Sequence, residues 1–158
     1  MSELLRIERA LRLHQLLGPG AAAALQAAGL PCPEAEQSAL SHGGGFVART
    51  GAESYFLAVE HDFAPLLAAP AWHFPVSDTV FRLEGAGWGR RLGELCALDL
   101  RALAEGGWLM TRLAHLSVWL YRPPATAALL LGCDPSYARY MQTTLEAVAA
   151  SASDTAKP

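Results

Sequence analysis

The chain has 158 residues, 52% of them hydrophobic, and carries 12 Lys and Arg against 15 Asp and Glu for a formal charge of −3. That length suits one domain, or two fused half-domains, and such a chain withdraws about 70% of its unfolded surface from water. The acidic balance and the lack of a basic run disfavour nucleic acid as a main partner, and no apolar run reaches the roughly 18 residues of a membrane span. The start, Met1-Ser-Glu-Leu-Leu-Arg, lacks both the basic opening and the small-residue cleavage site of a secretory signal, which makes the cytoplasm the default expectation.

In chain order, the first residues read two ways. Leu4, Leu5, Ala10, Leu11 and Leu16 suit a helix, whereas Leu11, Leu13 and Gln15 alternate like a strand; taken alone, the pattern favours a helix leading into a short strand. Ala21 to Ala28 is alanine-rich and predicts a helix stopped by Gly29. Pro31 to Ser41 reads as a loop closed by Gly43-Gly44-Gly45. Phe46 to Val59 predicts a hairpin turning at Gly51 to Ser54, and Asp62 is placed to cap a short helix through Leu67. Pro70 to Pro75, with two prolines and two aromatics, reads as an extended strap between two halves.

The second half begins with a strand over Val76 to Leu83, in which Phe81 and Leu83 alternate with Arg82 and Glu84. Gly85-Ala86-Gly87 turns the chain, and Trp88, Leu92, Leu95 and Cys96 then recur at helical intervals, the helix closing into Leu98-Asp99-Leu100. Met110 to Tyr121 alternates, Pro123-Pro124 makes a turn, and Thr126 to Leu131 predicts a fully apolar, central strand. Asp134-Pro135 opens a helix to about Ala150, with Tyr137, Tyr140, Met141, Thr144, Leu145 and Val148 on one face. Residues 151–158 are small and polar and read as a disordered tail.

An internal repeat runs through this order. Leu16 to Leu25 lies over Leu83 to Leu92 without a gap, two leucines and two glycines coinciding, and similar elements follow in each half. The expected fold is α+β, one domain over residues 1–150 made of two related β-α-β-β-α half-domains with antiparallel sheets, at about 9–69 and 74–150.

The chemistry-bearing residues are sparse. Cys32, Cys96 and Cys133 lack metal-ligand spacing and read as small buried hydrophobes. Gly43-Gly44-Gly45 lacks the Lys-Ser/Thr of a phosphate loop, and Gly85, Gly87 and Gly89 miss the dinucleotide spacing. His14, His42, His61, His73 and His115 occupy five different local contexts, His14 and His115 in element interiors where a hydrogen-bonded structural role is expected. His61-Asp62 is a weak acid/base candidate because neighbours in sequence point apart. Asp99 is either a general base or amine partner, or a loop carboxylate accepting backbone N–H bonds, the second being the simpler reading. Ser77-Asp78 suits a strand entry, and the four tryptophans suit core or interface anchors better than a flavin or pterin stack. No nucleophile, base and orienting group can be assembled.

Leu83-x-Gly85, Leu92, Cys96-Ala-Leu-Asp-Leu100, Thr111-Arg-Leu-Ala, Val118-Trp-Leu-Tyr-Arg122, Leu129-Leu-Leu and Ser136-Tyr-Ala-Arg-Tyr-Met together resemble the gamma subunit of heterotetrameric sarcosine oxidase. The resemblance covers about residues 76–148; in the first half it is limited to element order and to Glu53-Ser-Tyr-Phe-Leu-Ala. Ala97 stands where that family usually has proline and Leu95 where it has glycine. The resemblance implies a fold similar to the folate-binding domain of the glycine-cleavage T-protein, and it favours a strand over residues 9–16. It also implies a subunit that assists assembly and stability in a flavoenzyme oxidising sarcosine or a related N-methyl amine. No catalytic, cofactor-binding or metal residue is then assigned to this chain. FAD, FMN, NAD and tetrahydrofolate are expected in larger alpha and beta subunits, with a small zinc-binding delta subunit as an optional further partner. The rival expectations are a free-standing folate-dependent one-carbon transferase and a small-ligand-binding regulatory module.

Overall fold

The computed structural model describes residues 4–67 and 70–154, with side chains to residue 150. The chain divides into two compact units. One comprises 9–67, 70–77 and 106–109; the other comprises 4–8, 78–105 and 110–154. In order the elements are β1 (Leu4–Glu8), β2 (Arg12–Leu17), α1 (Ala21–Ala27), β3 (Ser38–His42), β4 (Gly45–Gly51), β5 (Ser54–Val59), β6 (Trp72–Val76), β7 (Thr79–Glu84), α2 (Trp88–Leu92), β8 (Trp108–Leu113), β9 (Leu116–Tyr121), β10 (Ala128–Cys133) and α3 (Ala138–Asp154), with 3-10 turns at Leu100–Ala102 and Pro135–Tyr137.

Two five-stranded antiparallel sheets result, ordered β3-β4-β5-β2-β6 and β8-β9-β10-β7-β1. The repeat seen in the sequence is therefore structural. Shifting β2 by 67 residues lands on β7, and the same shift carries the start of α1 onto the start of α2. At the turn between them Gly18 and Gly85 both adopt positive φ, 101° and 115°, which a side chain would resist. The edge positions are exchanged along the chain. β6, which precedes β7, pairs with β2, and β1, which precedes β2, pairs with β7.

The first unit's core packs Leu16, Leu25, Val47, Tyr55, Leu57 and Phe63 together, with α1 contributing Ala21 and Ala24. In the second unit β10 is buried along its whole length, as its uninterrupted apolar run and its central place between β7 and β9 require. α3 buries Met141, Leu145 and Val148, and Arg91 of α2 donates to the Ala149 carbonyl at 2.7 Å. β1 is tied to β7 by an ion pair of Glu8 with Arg82 at 2.8 Å, the two side chains 12% and 16% exposed.

Several expectations are corrected. Residues 4–17 form two strands with no helix, because the ladder to β5, β6 and β7 outweighs a weak helical pattern. Ser38 to Ser41 lies in β3 rather than in a loop, and residues 62–67 are not helical. The strap before Pro75 is strand β6, with Pro75 at an edge where its missing N–H is tolerated. The helix expected from Trp88 to Cys96 lasts five residues, because Gly93 follows and its N–H turns back to the Arg90 carbonyl. Met110 to Tyr121 is a hairpin, turning at Ala114 and His115 with φ of 49° and 69°. The second helix expected in each half is found in the second half alone, where α3 runs past its expected end to Asp154. The remainder of the predicted tail, 155–158, lies outside the described residues.

Candidate functional site

The second unit carries a cavity of about 530 Å³ beside its glycine turn. Its walls come from three segments: the glycine turn with the start of α2, the connection 93–107, and the connection 122–127 leading into β10. Trp88, Leu100 and Leu129, all largely buried, give it an apolar side, while Arg101, Glu105 and Arg122 give it a charged one. Trp88 is fixed by its indole N–H, which donates to the Glu84 carbonyl at 3.0 Å. Arg122 donates through Nη1 to the Leu103 carbonyl at 2.9 Å and faces Glu105 at 3.8 Å. Glu105 in turn accepts the Ala125 N–H at 3.2 Å, where φ is 57°. These bonds tie the two connections to one another beside the cavity.

Asp99 takes the simpler of its two expected places. It caps the 3-10 turn, accepting the Arg101 N–H at 3.0 Å and the Arg101 guanidinium at 2.8 and 2.9 Å. Those bonds hold its carboxyl below the usual range, so it is a poor general base. Asp78 accepts the Trp119 indole N–H at 3.0 Å; burial pushes its pKa up. Cys133 is buried in β10, which together with Asp78 and Asp134 raises its thiol to about 11.

In the first unit the structure joins two histidines that the sequence left apart. His14 on β2, 8% exposed, and His73 on β6 meet through Nδ1 and Nε2 at 3.0 Å, and Phe63 sets its ring edge-on to both. His14 Nε2 has no partner among the described residues. Burial, then the neighbouring His73, lowers the pKa of His14, and burial lowers that of His73. Both shifts favour the neutral ring. The only sequence signal for the pair is that each histidine interrupts an apolar strand; their meeting depends on the β2–β6 register.

The other candidates stay separate. Asp62 pairs with Arg12 at 2.8 Å on the surface, and the His61 ring stacks edge-on to His42, so His61-Asp62 does not act as a unit. His115 sits in the β8–β9 turn and not inside an element. Gly43 and Gly44 border Glu60, whose carboxylate accepts the Gly44 N–H at 3.1 Å; a carboxylate there repels phosphate. Among the described residues no three His, Cys, Asp or Glu side chains group as metal ligands, and no helix is long and apolar enough to cross a membrane.

No protein-family model matches the sequence, and no curated protein matches it. Solved structures do. A chain of heterotetrameric sarcosine oxidase from Corynebacterium sp. U-96, in complex with pyrrole 2-carboxylate, superposes with a TM-score of 0.82 at 24% identity, over 94% of this chain and 84% of that one. The glycine cleavage system aminomethyltransferase T from Bartonella henselae superposes with a TM-score of 0.64 at 13% identity, over 91% of this chain and 45% of that one. The two antiparallel sheets, their parallel strand orders and this near-complete superposition agree: the chain has the fold of the sarcosine oxidase chain, which is also that of the T-protein domain.

Proposed function

We propose that this chain is a non-catalytic, gamma-type subunit of a heterotetrameric sarcosine oxidase-like flavoenzyme, serving assembly and stability. The observation that carries the reading is the likeness to a chain of such an enzyme over most of both lengths. A second feature supports it. β6 ends its sheet, and Trp72 and Phe74, two residues apart on one face of that strand, are 54% and 48% exposed. Large aromatics held open on an edge strand are a liability in a solitary protein and an asset at an interface. The Trp72 ring is confined on one side by Gly18, where even a methyl group would collide with it. An anchor confined before binding loses less entropy when a partner arrives.

On this reading the enzyme works in the cytoplasm, oxidatively demethylating sarcosine or a related N-methyl amine. The larger alpha and beta partners carry FAD, FMN, NAD and tetrahydrofolate, with a small zinc-binding delta chain as an optional further partner. Co-expression with the alpha and beta chains of such an enzyme from the same source tests it. The expected result is co-purification in fixed stoichiometry, together with a colourless and inactive chain when it is made alone. Tight tetrahydrofolate binding with one-carbon transfer by the isolated chain would instead establish the transferase reading.

A further inference from the structure

The internal repeat provides a control for the cavity in the second unit. In the first unit β4 and β5 are joined by Ala52 and Glu53 alone, and the space beside the glycine turn is taken, since a methyl at Gly18 would meet the Pro70 carbonyl and the Trp72 ring. In the second unit the corresponding β9–β10 connection has lengthened to residues 122–127, and the path from α2 to β8 to residues 93–107. These two additions supply the charged wall of the cavity, Arg101, Glu105 and Arg122. A half-domain of this plan folds without them, as the first unit does. Additions that surround a cavity of 530 Å³, within the size range of small-molecule sites, are placed to hold something.

Its chemistry narrows the occupant. Arg101 already faces both oxygens of Asp99. Arg122 is different: of the five N–H donors of a guanidinium, one reaches the Leu103 carbonyl, and Glu105 stands off at 3.8 Å, beyond hydrogen-bond distance. Arg122 is thus oriented by its neighbours and keeps donors for a planar, bidentate acceptor. Arg101 is matched by Asp99, which leaves Arg122 against Glu105 and a cavity close to neutral, with Arg122 donors still free to turn to a ligand. One negative charge on a single guanidinium is tolerated in such a setting far better than the two of a phosphate dianion, which Glu105 and Asp99 would repel. Trp88, Leu100 and Leu129 offer an apolar surface to the rest of the molecule.

We propose that this cavity binds a small organic acid, its carboxylate on Arg122 and its apolar body against Trp88 and Leu129. The site is independent of the subunit role proposed above, and the isolated chain or its complex serves equally for the test. Phenylbutyrate, its uncharged amide and inorganic phosphate are titrated by calorimetry into the wild type, Arg122→Gln and Ala86→Trp. The acid is expected to bind with a dissociation constant between about 10 μM and 1 mM, and the amide at least about tenfold more weakly. Arg122→Gln should erase the difference between acid and amide. Ala86→Trp, at an exposed position on the rim, should block both ligands without touching the core. Equal binding of acid and amide, undiminished binding to Arg122→Gln or Ala86→Trp, or phosphate competing as well as the acid would each overturn the proposal. So would an absence of binding up to about 10 mM. Should Arg122→Gln fail to fold, the acid–amide contrast in the wild type and the Ala86→Trp result decide the matter.

Discussion

Gly132 in β10 stands opposite Trp119 in β9, and the indole occupies the space where its side chain would be. A Cβ at position 132 would overlap Trp119 Cε2, Nε1 and Cζ2. The substitution Gly132→Ala sets two effects against each other. Replacing a strand glycine gains about 0.5–1 kcal/mol through the unfolded chain. Overpacking costs about 1–3 kcal/mol, and tilting the indole away breaks its bond to the Asp78 carboxylate, a charge-assisted contact of about 1.5–3 kcal/mol. The clash wins, and the net loss is expected at about 2–4 kcal/mol, or roughly 4–16 °C in Tm for a chain of this size. Urea unfolding of Gly132→Ala, Trp119→Phe and the double variant checks the mechanism as well as the magnitude. Phenylalanine has a smaller ring with no Cζ2 and no ring N–H to lose, so the overlap is relieved in the double variant, which should be less destabilised than the sum of the singles by about 1–2 kcal/mol. A Gly132→Ala protein within about 0.5 kcal/mol of wild type, or strictly additive singles, refutes the account.

Three other outcomes follow from the same reasoning. Glu8→Ala leaves Arg82 largely buried without its partner and should cost about 3 kcal/mol, whereas Glu8→Leu with Arg82→Met should recover most of it in chemical denaturation. His14 and His73 both have folded pKa values lowered below the ordinary value. The unfolded chain then binds the extra protons, so stability is full above the unfolded value of about 6.5 and falls as pH drops below it. Denaturation midpoints between about pH 7.5 and 5 should show that decline in the wild type and a shallower one in His14→Gln; equal slopes would exonerate the pair. His115→Gly relieves a left-handed φ of 69° while keeping the carbonyl that Arg112 donates to, and should raise stability by about 0.5–1 kcal/mol, read as a higher Tm.

Much of this protein is written locally. The offset between Leu16 to Leu25 and Leu83 to Leu92 coincides with a recurring strand, turn and helix start because glycine at a positive-φ turn followed by a short helix is a backbone requirement set within a few residues. The Phe46 to Val59 hairpin, the central run in β10 and the Asp134-Pro135 helix start could likewise be read from periodicity and turn chemistry, since their determinants lie within a few residues. Asp99 as a capping carboxylate belongs to the same class, its partner being two residues away.

What the sequence could not decide was pairing across distance. Residues 4–8 carry no alternation that marks a strand; they become β1 because β7 offers an open edge and Glu8 finds Arg82, 74 residues on. Trp72 to Val76 is a strand for the same reason, its ladder lying with β2. The His14–His73 contact follows from that register, and the cavity from two connections with no regular pattern of their own that close only when β7 and β10 lie side by side. Local propensity is a matter of tenths of a kcal/mol per residue, and a strand's neighbours routinely override it. Element types were therefore set along the chain, while edges, buried pairs and the cavity were set by the ladders.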